Sequence, residues 1–167
     1  MDVKDKLSTL QFSIGRYDHY YDTINNKGNV YLTLNAFLLG GILTAYYALA
    51  DGQCNMWIVH LPIILILLSN MLVTFYSLLA LMPHLSKKNK NGNGSLLWFG
   101  DASCQTPQVH NQRWNQLSEG KLLDDLCTQN HALACGLDKK FRRLKTATWL
   151  LGIEILLIAI VGSIVLK

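Results

Sequence analysis

The chain has 167 residues, half of them apolar, only 16% charged, and a formal net charge of +4. Soluble domains carry nearer 25% charge, and here the apolar residues fall in long blocks instead of one periodic face, which excludes an ordinary soluble domain. The cations gather beside those blocks, so the positive balance speaks for membrane insertion and anionic lipid contact and only weakly for nucleic acid.

Residues 1–29 read as a cytoplasmic amphipathic helix. Asp2, Lys4, Asp5 and Lys6 open the chain and the first apolar block starts near Val30, so no cleavable leader is expected and the first span stays as an anchor. Leu7, Leu10, Ile14, Tyr17, Tyr21, Ile24, Gly28 and Tyr31 follow at spacings of three and four, a heptad seam. No proline interrupts it, and one continuous helix is expected from about Ser8 to Ala50.

Three segments, 30–50, 56–82 and 147–166, reach the roughly 20 apolar residues needed to cross a hydrocarbon core of about 30 Å. The first carries Ala36, Gly40, Thr44 and Ala48 at i, i+4 spacing, a small-residue stripe that lets helices approach closely, with Gly41 beside it. The loop 51–55 that follows has no Lys or Arg. In the second span His60 is expected near headgroup water, and Pro62 is expected in the first turn, where its missing N–H costs nothing. Lys87, Lys88, Lys90, Lys139, Lys140, Arg142, Arg143 and Lys145 flank the spans on the other side. The N-terminus and segment 84–146 are therefore placed in the cytoplasm and the C-terminus outside.

Segment 84–146 begins with a Lys, Asn and Gly connector, 86–95, read as a flexible linker. Gly92 and Gly94 follow no strand, which argues against a phosphate loop. In "LLWFGDAS" (96–103) two readings stand: the apolar run caps a bundle, or Trp98 or Phe99 stacks on a flat ligand while Asp101 accepts a hydrogen bond from it. Leu123, Leu126, Asn130, Leu133, Leu137, Phe141 and Leu144 then mark a second near-heptad stripe, with Ser118 as N-cap. Two such helices leave apolar surface uncovered in one copy, so a homo-oligomer is expected.

Glu154 is the only carboxylate inside a span, about 10 Å deep at 1.5 Å per residue. It is either functional or tied down by Asn70, Ser69 or Thr74 of the second span. The fold class expected is thus an all-α membrane protein, with three transmembrane helices and a cytoplasmic helical bundle made from extensions of the first and third spans.

Catalytic patterns are missing: no Ser-His-Asp set, nucleophile elbow, P-loop or HExxH occurs. Cys127, His131 and Cys135 spread over about 12 Å of one helix, too far for one zinc ion. Cys104, Cys127 and Cys135 fall on the reducing side and Cys54 alone outside, so no disulfide framework is expected. Neither an enzyme nor a metal or other cofactor is expected.

At "GRYDHYYDTINNKGNVYLTLNAFLLGGIL" (15–43) the chain resembles the transmembrane effector family of Pycsar antiphage systems. The matching positions are Arg16, Asp18, Asn25 or Asn26, Lys27, Asn35 and Gly40, then the Phe-Gly-Asp of "LLWFGDAS", then Gln129, Lys140 and Phe141. Gly28 departs from the alanine expected there, which would loosen the helix at the membrane edge, and the connector is individual. The resemblance implies a partner cyclase that makes a cyclic nucleotide on infection, in that family a cyclic pyrimidine monophosphate. It also implies an inner-membrane effector that binds the nucleotide and impairs the membrane, giving abortive infection. The resemblance carries no ligand site residue by residue. On chemistry, Arg16, Asn26, Lys27, Lys140 and Arg143 are the candidates for the phosphate and base, beside Trp98 and Asp101, with Asn70 and Glu154 as a membrane polar pathway. A membrane scaffold or accessory subunit, and a channel subunit not gated by nucleotide, are the competing readings.

Overall fold

The computed structural model describes residues 2–50, 56–83 and 94–165. The 51–55 loop with Cys54, most of the 86–95 connector with Lys87, Lys88 and Lys90, and Lys167 lie outside the described residues, as does the side chain of Ala48. Every described regular element is a helix: α1 Val3–Ala50, α2 Met56–Leu81, α3 Phe99–Ala102, α4 Pro107–Asn115 and α5 Glu119–Val165. The chain divides into two compact units, a first of Met1–Tyr21 with Pro83–Asp138 and a second of Asp22–Met82 with Lys139–Lys167.

The heptad seam anticipated on α1 is the less exposed face of that helix at all eight positions from Leu7 to Tyr31. α5 starts where its cap was expected: Ser118 Oγ accepts from Lys121 N at 3.4 Å, and the Ser118 carbonyl accepts from Leu122 N at 3.0 Å. α3 and α4 were not anticipated in the linker. α4 is set by Thr106, whose hydroxyl accepts from Val109 N at 3.4 Å, followed by Pro107 in the first turn, where no donor is lost.

The second unit reverses the usual distribution of polarity. Its buried set includes Asn35, Ser69, Asn70, Ser77, Lys140 and Glu154, while Phe37 (78%), Met71 (69%) and Trp149 (68%) are largely exposed. Apolar side chains outward and polar groups inward suit a hydrocarbon surround. α1, α2 and α5 are each long and apolar enough to cross a membrane. Ile42, Ile63 and Ile66 form one apolar cluster, with Leu38, Leu157 and Val161 against it.

Two local expectations change. Pro62 stands in the second turn of α2, not the first, so the carbonyl four residues back loses its partner, a defect that membrane helices accommodate. On α5 the buried position after Leu137 is Lys140 and not Phe141, which is 40% exposed. The reason is that Lys140 Nζ finds oxygen acceptors: it donates to the carbonyls of Ala80 (2.6 Å) and Leu81 (3.1 Å), while Arg143 Nη1 donates to Leu79 O at 2.8 Å. Two cations therefore close the C-terminal end of α2, whose carbonyls lack intrahelical donors and carry partial negative charge. As expected of one continuous helix, α1 runs on through Gly28, which is buried under Leu81.

Gly28 permits a close approach. A Cβ there would stand 2.8 Å from Leu81 Cδ2, the mobile end of a side chain. Gly28→Ala should leave the unfolding free energy in detergent within about 1 kcal/mol of the parent, because helix propensity offsets the small shift. Gly28→Leu should cost about 1–3 kcal/mol by overpacking.

Candidate functional site

The first unit owes its site to the way residues 94–102 are folded back. Ser95 N donates to Asp101 Oδ2 at 2.9 Å, and Leu97 N (3.1 Å) and Trp98 N (2.9 Å) donate to Ser95 Oγ, so a short polar turn launches α3. Two longer-range fixings hold it. Leu96 N donates to Asp125 Oδ2 at 3.0 Å and Gln129 Nε2 to Ser95 Oγ at 2.7 Å, tying the turn to α5. Arg113 Nη2 donates to Gly94 O at 2.6 Å, tying it to α4. Gly94 is required by the Asp101 carboxylate, and Gly100 by the Trp98 ring, since a Cβ at either place would collide with them.

This framework leaves a cleft of about 910 Å³, bordered by Trp98, Asp101, Arg113, Lys121, Asp124 and Gln129, at the upper end of small-molecule sites. It offers an aromatic face, a planar cationic fork, a flexible ammonium and carboxylates. Such a set can recognise a small molecule that is flat at one end, anionic at the other and polar between. Tyr21 closes one side, its hydroxyl donating to Leu133 O at 3.0 Å. Burial first, and then the Asp18 carboxylate, raise the Tyr21 phenol above 10.0. The fold thus prefers the protonated phenol, so that stability is present below about pH 10 and lost as pH rises through the raised value. Tyr21→Phe should cost about 0.5–1.5 kcal/mol at neutral pH and remove that alkaline loss, as read from thermal unfolding against pH.

Of the ligand candidates chosen from sequence, Trp98 and Asp101 line the cleft. Asp101 also accepts the Ser95 amide, so it shapes the turn as well as facing the cleft. Arg16 belongs to the first unit but is not on the cleft wall: its Nη2 donates to Tyr20 Oη at 2.9 Å, with its guanidinium 6.0 Å from the Phe12 ring and 5.9 Å from the Tyr20 ring. Asn26 and Lys27 are exposed on α1 in the second unit. Lys140 and Arg143, also of that unit, hold the α2 carbonyls, and burial first, then Arg143, lower the Lys140 pKa below 10.5. Arg113 and Lys121 were missed. The Thr106-Pro107 helix start was the signal that would have put Arg113 on a helix.

In the second unit the structure brings Asn70 and Glu154 together, Nδ2 to Oε1 at 2.9 Å. It adds Asn35, which sequence reasoning did not place there. Asn35 Nδ2 donates to Asn70 O (2.8 Å) and Thr74 Oγ1 (2.7 Å), and Asn70 Nδ2 donates back to Asn35 O at 3.0 Å. Ser69 instead donates to Leu150 O at 3.4 Å. Ala36, Gly40 and Thr44 are exposed, and α1 packs within this chain through Asn35 and Ile42.

The family model for the Pycsar effector protein domain matches residues 9–167. No curated protein and no solved structure matches the chain significantly. With a match that leaves out only the first eight residues and three helices able to cross a membrane, the chain belongs to the Pycsar effector family and is a membrane protein of antiviral defence.

Proposed function

We propose that this effector is switched by a cyclic nucleotide, made by a partner cyclase, and then impairs the bacterial inner membrane so that infection aborts. The cleft of the first unit carries the reading. Its combination of Trp98 with Arg113 and Lys121 suits a nucleotide, the indole stacking on the base and the two cations pairing with the cyclic phosphate. Asp124 and Gln129 then meet the polar edge of the base or the ribose hydroxyls. α1 and α5 each contribute to both units, and these shared helices are the covalent route from ligand to spans. The protein acts without catalysis or cofactor, with its N-terminus cytoplasmic and C-terminus periplasmic. It works as a homo-oligomer, for which the exposed Ala36, Gly40 and Thr44 face supports close helix approach.

Co-expression with the partner cyclase tests this. Arg113→Gln and Trp98→Ala effectors should no longer kill, while Arg16→Ala and Lys27→Ala, which alter cations off the cleft wall, should still do so. The opposite pattern would transfer the site to the α1 cations.

A further inference from the structure

The centre of the second unit has spent its amide donors and is left with oxygens. Asn35 (1% exposed), Asn70 (3%) and Glu154 (0%) are all buried. Each amide nitrogen carries two hydrogens, and all four are spent inside the chain, on Asn70 O and Thr74 Oγ1 from Asn35, and on Asn35 O and Glu154 Oε1 from Asn70. Among the buried side-chain atoms without a hydrogen-bond partner are Asn35 Oδ1, Ser77 Oγ and Glu154 Oε2. An amide oxygen, a hydroxyl and a carboxylate oxygen are hard acceptors. Asn70, Thr74 and Ser77 stand at i, i+4 and i+7, so they share one face of α2. Burying such oxygens without partners is costly in a membrane.

Charge has the same sign. Within 30–50, 56–82 and 147–166 Glu154 is the only formally charged residue; Lys140 and Arg143 of the same unit lie beyond these segments and donate to the Leu79, Ala80 and Leu81 carbonyls. We propose that, once the spans part, this cluster becomes the wall of a path for hydrated monovalent cations, with Glu154, Asn35 and Ser77 presenting their oxygens and anions excluded. A cation entering would exchange part of its hydration for carboxylate, amide and hydroxyl oxygens, as in filters built from oxygen ligands. An anion would meet a carboxylate and amide hydrogens already committed to other acceptors, with only hydroxyl hydrogens such as that of Ser77 left to donate. The proposal rests on the reading of the protein as a membrane-impairing effector and adds what crosses.

The test uses purified full-length protein in planar bilayers under a potassium chloride gradient, with and without cyclic uridine and cytidine monophosphates. The expected reversal potential lies toward the potassium equilibrium value. Glu154→Gln, which keeps an acceptor for Asn70 and removes the charge, should move it back toward zero; if that variant does not fold, the parent's selectivity alone decides. Reversal at zero or toward chloride in the parent would overturn the proposal. Release of a large dextran from liposomes, or absence of current in every condition, would do the same. Protection of Cys135, which lines the cleft, from a maleimide in the same sample reports on nucleotide binding separately, so a failed signal and a failed path are told apart.

Discussion

Asn70→Leu is expected to lower the stability of the membrane unit by about 2–3 kcal/mol, measured by denaturing-detergent titration of the purified protein. The side chain bridges three helices: from α2 it donates to a backbone carbonyl of α1 and to the carboxylate of Glu154 on α5. Interhelical hydrogen bonds in membranes average only about 0.6 kcal/mol, so two neutral bonds would give too small an effect. The larger figure comes from the acceptor left behind. Glu154 has one oxygen without a partner already, and losing Asn70 takes from the other the amide that donates to it, in a place water does not reach. The double variant Asn70→Leu with Glu154→Leu should therefore be more stable than Asn70→Leu alone, by about 1–2 kcal/mol. Additive losses would contradict the pairing.

Nucleotide affinity should respond as strongly at the cleft. Arg113→Gln removes a charged fork, and hydrogen bonds to charged groups contribute about 1.5–3 kcal/mol, equivalent to roughly 10–150-fold in affinity. The same change loosens the Gly94 carbonyl that Arg113 now holds at 2.6 Å. Arg113→Lys separates the two roles, since it keeps the charge but lacks the planar fork, and its affinity should fall between the parent and Arg113→Gln. Trp98→Ala removes base stacking of about 1–3 kcal/mol and should weaken every base similarly. Titration calorimetry with cyclic pyrimidine mononucleotides reads all three; equal affinities for parent and variants would place the ligand elsewhere.

What the sequence made legible was whatever repeats. The α1 seam from Leu7 to Tyr31 and the three apolar blocks are written in spacing and length, and both govern the structure. Single polar residues were less readable, because their fate depends on partners distant in the chain. Lys140 is buried by virtue of carbonyls sixty residues away, and a seam reader prefers its neighbour Phe141. Asn35 and Asn70 are separated by 35 residues and answer each other's backbone, which no local pattern announces. α3 and α4 have little apolar periodicity, and only the Thr106-Pro107 start betrays the second. Trp98 and Asp101 were found because an aromatic beside a Gly-Asp turn is unusual in a polar segment. Their neighbours Arg113 and Lys121 join them only through the fold-back of 94–102.

If the first-unit cleft holds the signal, the ligand should shield a residue on its wall. Cys135 borders that cleft with its sulfur 3.6 Å from His131 Nε2. The direct measurement is the maleimide labelling rate of Cys135 in full-length protein whose Cys54, Cys104 and Cys127 are replaced by serine. A cyclic pyrimidine mononucleotide should slow the labelling several-fold, and Arg113→Gln should abolish the protection. An unchanged rate at saturating nucleotide, in protein that still kills when the cyclase is present, would mean that the cleft is not where the signal binds.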